Sequence, residues 1–149
     1  MVYTSDIQLS TINIEKPSLF LAGSMDIKGQ TNWRERATEQ FQAYYHIFDP
    51  THTNHSNLND TEMSKHIKWE WEALNRSDLI LLNFTAQAKS PISLLELGMY
   101  ISSGKIVVVC PKEFYQAHYI NTLCTEHKVP IFESIDDILQ TDIFQLTKN

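Results

Sequence analysis

A single glutamate interrupts the apolar stretch SPISLLELGMYISSGKIVVV, which runs from Ser90 to Val109. Leu94, Leu95, Leu97, Met99, Tyr100 and Ile101 mark a mostly buried helix that leads into a strand of valine and isoleucine, and Glu96 lies among them. A carboxylate partly desolvated by such neighbours can act as a nucleophile or a base. Periodicity also permits the plainer reading, a surface glutamate on the exposed side of an amphipathic helix.

Other stretches could carry chemistry. LAGSMD, residues 21–26, is a glycine turn in which backbone N–H groups and the Ser24 hydroxyl, next to Gly23 and near Asp26, can face an anion or a sugar hydroxyl. It equally reads as a tight turn that merely needs glycine. It is neither GxGxxG nor a P-loop, so dinucleotide binding and ATP hydrolysis lose their usual support. In WEWEALNRSD, residues 69–78, Trp71 fits an apolar helical stripe and is expected in the core, which leaves the Trp69 ring to pack elsewhere. Asp78 stands at the mouth of the following strand, either as a functional carboxylate or as the turn residue of a helix-to-strand junction. The histidines show no metal-ligand spacing; His52 and His55 read as part of a solvated loop, and no metal or organic cofactor is expected.

The elements that must position these residues alternate between strand and helix. SLFLA at 18–22 is a strand, and residues 31–45 have helical spacing. HIFDP is a second strand, and the amphipathic helix over 60–75 repeats Met63, Ile67, Trp71 and Leu74. DLILLNF at 78–84 is a buried strand, followed by the helix around Glu96, which has Pro91 near its first turn and Gly104 past its end. KIVVVC at 105–110 shows too little alternation to face water, as expected of a central parallel strand. A helix over 113–127, a short strand VPIFES and a last helix IDDILQTDIFQL complete the order.

This order predicts an α/β, flavodoxin-like or Rossmann-like three-layer sandwich with a mainly parallel five-stranded sheet. Ligands bind such sheets beyond the carboxyl ends of the strands. Those ends carry Gly23, Ser24 and Asp26, then Asp49, then residues 83–90, then 110–113.

Bulk properties narrow the class. At 149 residues, the chain is expected to form one domain over 1–149, with 1–16 as an extra N-terminal segment. Apolar content of 42% and charged content of 20% suit a soluble globular protein. The formal charge is −6, with cations scattered singly, which argues against a nucleic-acid polymer as partner and for a small ligand. No signal peptide or membrane span is read, and Cys110 and Cys124 lack metal-type spacing, so reduced thiols and a cytoplasmic location are expected.

Taken together, FLAGSMD, FDP, WEWEALNRSDLILLNF, SPISLLELG and KIVVVCPKEFY resemble the nucleoside 2-deoxyribosyltransferase family, in particular its small, divergent branch. The resemblance spans most of residues 18–125. It implies exchange of the base of a 2′-deoxyribonucleoside in two displacements, with deoxyribonucleosides and free nucleobases as partners. Glu96 falls on the family's nucleophilic glutamate, whose carboxylate attacks C1′ and holds the sugar as an ester. Asp78 falls on an aspartate beside the sugar and departing base, which implies proton donation to the base. Gly23, Ser24 and Asp26 would line the sugar side, Asp49 closes the second strand there, and Trp33 or Trp69 would wall the base.

Three departures from the family pattern stand out. Thr51 and His52 replace a pair of arginines, and Phe20 replaces a tyrosine that supports the nucleophile. Where relatives present an asparagine from a neighbouring subunit to the 5′-hydroxyl, this chain has Tyr119, with Asn121 close by. A homo-oligomer is implied accordingly. A sister group hydrolyses deoxynucleoside 5′-monophosphates and contacts phosphate through serines, to which Ser24 and Ser90 correspond. An N-glycosidase is therefore the alternative enzyme, and a non-catalytic nucleotide-binding module the alternative outside catalysis.

Overall fold

The computed structural model describes residues 1–9, 15–25, 32–51 and 57–143. Six strands, β1 (Val2–Thr4), β2 (Ser18–Gly23), β3 (His46–Asp49), β4 (Leu79–Asn83), β5 (Ile106–Val109) and β6 (Ile131–Phe132), form one sheet. Its order is β1-β3-β2-β4-β5-β6, and every pairing is parallel. Five helices are present among the described residues: α1 (Trp33–Phe41), α2 (Asp60–Arg76), α3 (Pro91–Tyr100), α4 (Ala117–Glu126) and α5 (Ile135–Leu139).

The strict alternation of side chains along a strand divides the core into two layers. Phe20, Ala22, Phe48, Ile80, Leu82, Ile106 and Val108 face α2, α3 and α4. Leu19, Leu21, Ile47, Leu79, Leu81, Val107 and Val109 face α1 and α5. Both faces are covered, so β2, β3, β4 and β5 are apolar between their ends, and the three-layer α/β sandwich follows from that pattern.

The sheet has six strands rather than five. The additional one, β1, comes from the segment expected to lie outside the fold, and it pairs Val2, Tyr3 and Thr4 with Ile47, Phe48 and Asp49. Three residues carry too little periodicity to announce a strand, and this one is defined by its pairing with β3, beside which it forms the edge of the sheet. Helices α1 and α4 are shorter than the apolar spacing suggested, α5 closes at Leu139 while residues 144–146 of the expected last helix lie outside the described residues, and α1 begins where the Asn32 side chain accepts the Glu35 N–H at 3.1 Å.

The chain leaves β2 to one side, toward β3, and returns on the other, as β4. Connections above β2 and β4 therefore diverge, which opens a crevice at their carboxyl ends. Helix α2 borders it and has two apolar faces. His66, Trp69, Ala73 and Leu74 are buried against the sheet, whereas Ile67 and Trp71 stay exposed.

Candidate active site

The floor of the crevice is the turn after β2. Gly23 has φ +135, and a Cβ there would collide with the backbone of Asn83 on β4. Only glycine lets the two strands end this close together. Ser24 follows, buried, with its N–H donating to Asn83 O at 2.9 Å and its Oγ accepting the Thr85 N–H at 2.9 Å. Ser24 Oγ also lies 2.6 Å from Ser90 Oγ.

Ser90 precedes α3 in the left-handed region, at φ 52, and its side chain makes no capping bond. Pro91 occupies the first turn, where a missing N–H costs nothing. The helix therefore starts at the crevice with its first amides uncapped by a side chain, next to two serine hydroxyls.

The crevice encloses about 520 Å³. Gly23, Ser24 and Ser90 line one side; Met63, Ile67 and Trp71 of α2 line another; Arg34, Glu70 and Glu96 also face it. Burial pushes the Glu96 carboxyl up to about 7, helped by the like charge of Glu70 and opposed by the Arg34 guanidinium. Glu70 Oε1 in turn lies 2.9 Å from His66 Nε2, one helical turn away on α2. Two carboxylates near each other, one of them with an imidazole, provide an attacking group and a proton donor without further parts.

The crevice thus gathers Glu96, Gly23, Ser24 and Ser90 from the sequence expectations. It does not gather the others. Asp78 lies at the amino end of β4, where Oδ2 accepts the Ser18 N–H at 2.7 Å and the Ser18 hydroxyl at 3.1 Å. Five residues of strand, roughly 16 Å at ~3.3 Å per residue, separate it from the carboxyl end. The reading of Asp78 as a proton donor to the base is corrected: it is a junction residue that ties β4 to β2.

Both tryptophans expected as walls are also corrected. Trp33 is buried beneath the turn and donates its Nε1–H to Ser24 O at 3.0 Å. Trp69 is buried, donates to Ile7 O at 2.9 Å and packs edge-on against Phe48. The wall is Trp71, half exposed, which the apolar stripe had consigned to the core. Three residues of the stripe, Met63, Ile67 and Trp71, face the crevice instead of the sheet, whereas Leu74 is in the core as expected.

Asp49 closes β3 and accepts from Thr51 N–H at 2.9 Å and Thr51 Oγ1–H at 2.7 Å; its neighbour Pro50, not Asp49, lines the crevice. Tyr119 and Asn121 stand on α4, both exposed and outside the crevice of their own chain. Asp26, His52 and His55 lie outside the described residues.

Three polar residues of the crevice, Glu70, His66 and Arg34, escaped the sequence reading. Glu70 and His66 are four apart, the spacing that places side chains on one helical face. That signal was present, but two tryptophans flanking Glu70 drew the attention. Among the described residues, no cluster of three or more His, Cys, Asp or Glu side chains could hold a metal ion, and no helix is long and apolar enough to cross a membrane.

No curated protein matches the chain. The family model described as nucleoside 2-deoxyribosyltransferase like matches residues 16–114, which include β2 through β5 and every residue named above as lining the crevice. With that match over most of its length, the chain belongs to the nucleoside 2-deoxyribosyltransferase-like family.

Proposed function

We propose that the protein exchanges the base of 2′-deoxyribonucleosides through a glycosyl ester on Glu96. The observation that carries this reading is the placement of Glu96 in a crevice with a second carboxylate, Glu70, and the Gly23–Ser24 turn. In the first displacement a Glu96 oxygen attacks C1′ and the C1′–N bond breaks. The electron pair leaves with the base, which takes a proton from the Glu70–His66 pair. In the second, a nitrogen of the incoming base attacks C1′, the ester C–O bond breaks, and the acceptor's proton returns to that pair. Two inversions retain the anomeric configuration.

The remaining crevice residues fit this chemistry. Trp71, Ile67 and Met63 offer an apolar wall for a flat base, and Ser24 and Ser90 offer hydroxyls to the sugar. The absence of a 2′-hydroxyl on the donor helps, since an electron-withdrawing oxygen beside C1′ would destabilise the oxocarbenium-like transition state. A cytoplasmic role in nucleoside salvage follows from the reaction. A homo-oligomer fits the exposure of Ile92, Leu95 and Met99 along α3.

One observation favours a second reading, hydrolysis of deoxynucleoside 5′-monophosphates. The Ser24 and Ser90 hydroxyls meet at the uncapped start of α3, an arrangement suited to a phosphate. Chromatography of 2′-deoxyinosine, thymidine and their monophosphates, with and without free adenine, separates the two. New deoxynucleosides that need the acceptor and vanish in Glu96→Ala support exchange. Free base released from monophosphates regardless of acceptor supports hydrolysis, and no turnover with any of them would leave only a binding module.

A further inference from the structure

Arg34 is an arginine in an unusual position, and neither the two-carboxylate mechanism nor the family pattern discussed above uses it. It is the second residue of α1, and it is only 3% exposed. Burying a guanidinium costs several kcal/mol unless its donors are satisfied, so its surroundings should explain why it is there. Its donors converge on one short segment: Nε donates to Leu21 O at 3.3 Å, Nη2 to Gly23 O at 3.0 Å and Nη1 to Ser24 O at 2.9 Å. The guanidinium also lies 4.4 Å above the Trp33 ring, and Trp33 donates to the same Ser24 carbonyl.

Three carbonyls of the turn are thus gathered on the side of α1, and the Ser24 side chain is left directed to Thr85 N–H and Ser90. A rigid, planar fork presents donors from three nitrogens in fixed directions, whereas an ammonium offers all of its donors from one nitrogen. Arg34 also lines the crevice itself, with Glu96. We propose that Arg34 is the positioning residue of this site, which sets the Gly23–Ser24 turn through its three donors and keeps a buried cation in the crevice that Glu96 faces. The inference rests on the reading of Glu96 as the nucleophile.

Several groups share the neighbourhood and set the balance. Glu70 and His66 face Glu96 from α2, and Tyr100, whose hydroxyl is itself pushed upward by burial and by Glu96, lies one turn further along α3. Asp49 Oδ1 is 3.9 Å from Arg34 Nε and offsets part of its charge from β3. Against these, Arg34 is the cation that favours the Glu96 carboxylate.

The test separates charge from geometry and reads Glu96 directly. The carboxyl carbon of Glu96 is followed by NMR as pH is varied, in wild type, Arg34→Lys and Arg34→Gln, and base exchange on thymidine is measured alongside. Arg34→Gln is expected to raise the Glu96 midpoint by about 1 pH unit, and the acid limb of kcat/KM by the same amount. Arg34→Lys is expected to leave the midpoint near that of wild type but to lower kcat at least tenfold, because the turn loses its fork. An unchanged midpoint in Arg34→Gln overturns the electrostatic role, and wild-type kcat in Arg34→Lys overturns the positioning role. If Arg34→Gln does not fold, Arg34→Met, a side chain of similar length without charge, supplies the neutral arm and its midpoint is judged in the same way, while Arg34→Lys still decides the positioning role through kcat. Wild type inactive on thymidine while the midpoints move as expected would sink the exchange reaction and leave the coupling of Arg34 to Glu96 standing.

Discussion

Replacing Glu96 by glutamine should make the protein more stable above about pH 4.5, with the full effect reached at neutral and alkaline pH. The Glu96 carboxyl titrates at 4.5 in an open chain and is pushed up to about 7 in the fold. The folded state therefore binds the proton more tightly than the unfolded chain does. Between those two values the native protein holds more protons, so stability falls as pH rises from 4.5 toward 7 and is level above. At about 1.36 kcal/mol per pH unit the full difference is about 3.4 kcal/mol, and solvent reaching the half-buried carboxylate brings this to about 2 kcal/mol. Glutamine keeps the shape and never ionises, so it avoids that cost. At roughly 2–4 °C per kcal/mol for a domain of this size, the variant should melt about 4–8 °C above wild type at pH 8.5. At pH 4 the two should coincide. Scanning calorimetry of both proteins at the two pH values measures this, and contributions of titrating groups that are not coupled to Glu96 cancel in the comparison. A melting difference of the same size at pH 4 and pH 8.5, or a less stable variant at pH 8.5, would refute the claim that ionised Glu96 is held at a cost in the fold. Such a cost is what a site retains when a carboxylate is kept for reactivity and not for stability.

Three further outcomes are expected. Glu70→Gln should lower kcat for nucleosides by about 10²–10⁴, with far less effect on a deoxyribosyl donor whose leaving group departs without a proton; equal losses on both donors would remove Glu70 from base protonation. Gly23→Ala should cost about 3 kcal/mol or more in urea denaturation, because the added Cβ meets the Asn83 backbone, which cannot yield as a side chain could. Asp78→Ala should cost about 1 kcal/mol through the lost Ser18 bonds while single-turnover base release stays at the wild-type rate, and a specific loss of that rate would return Asp78 to the chemistry.

Much of the fold was legible because it rests on local signals. Uninterrupted runs such as Leu79–Asn83 and Ile106–Val109 can only be strands buried on both faces, and helices between them force a parallel sheet. The glycine turn and the placement of Glu96 after the third of the expected strands followed from the same order. What was misread involves faces. Met63, Ile67 and Trp71 repeat at helical spacing as core residues do, and the spacing is identical whether the face they share meets a sheet or a crevice. Asp78 was misread for a related reason: a carboxylate at a strand's start and one at its end look alike until the strand has a direction in a sheet.

By itself, then, the sequence determined the α/β alternation, a turn after the SLFLA strand and the presence of an ionisable group in an apolar helix, since each depends on residues near one another in the chain. Tertiary structure alone decided which carboxylate Glu96 would meet. Residues 34, 70 and 96 belong to three different helices, and their charges act through a crevice that exists only once β2 and β4 lie side by side. Coulomb interactions depend on distance in space and on the loss of water between groups, and neither quantity is written along the chain.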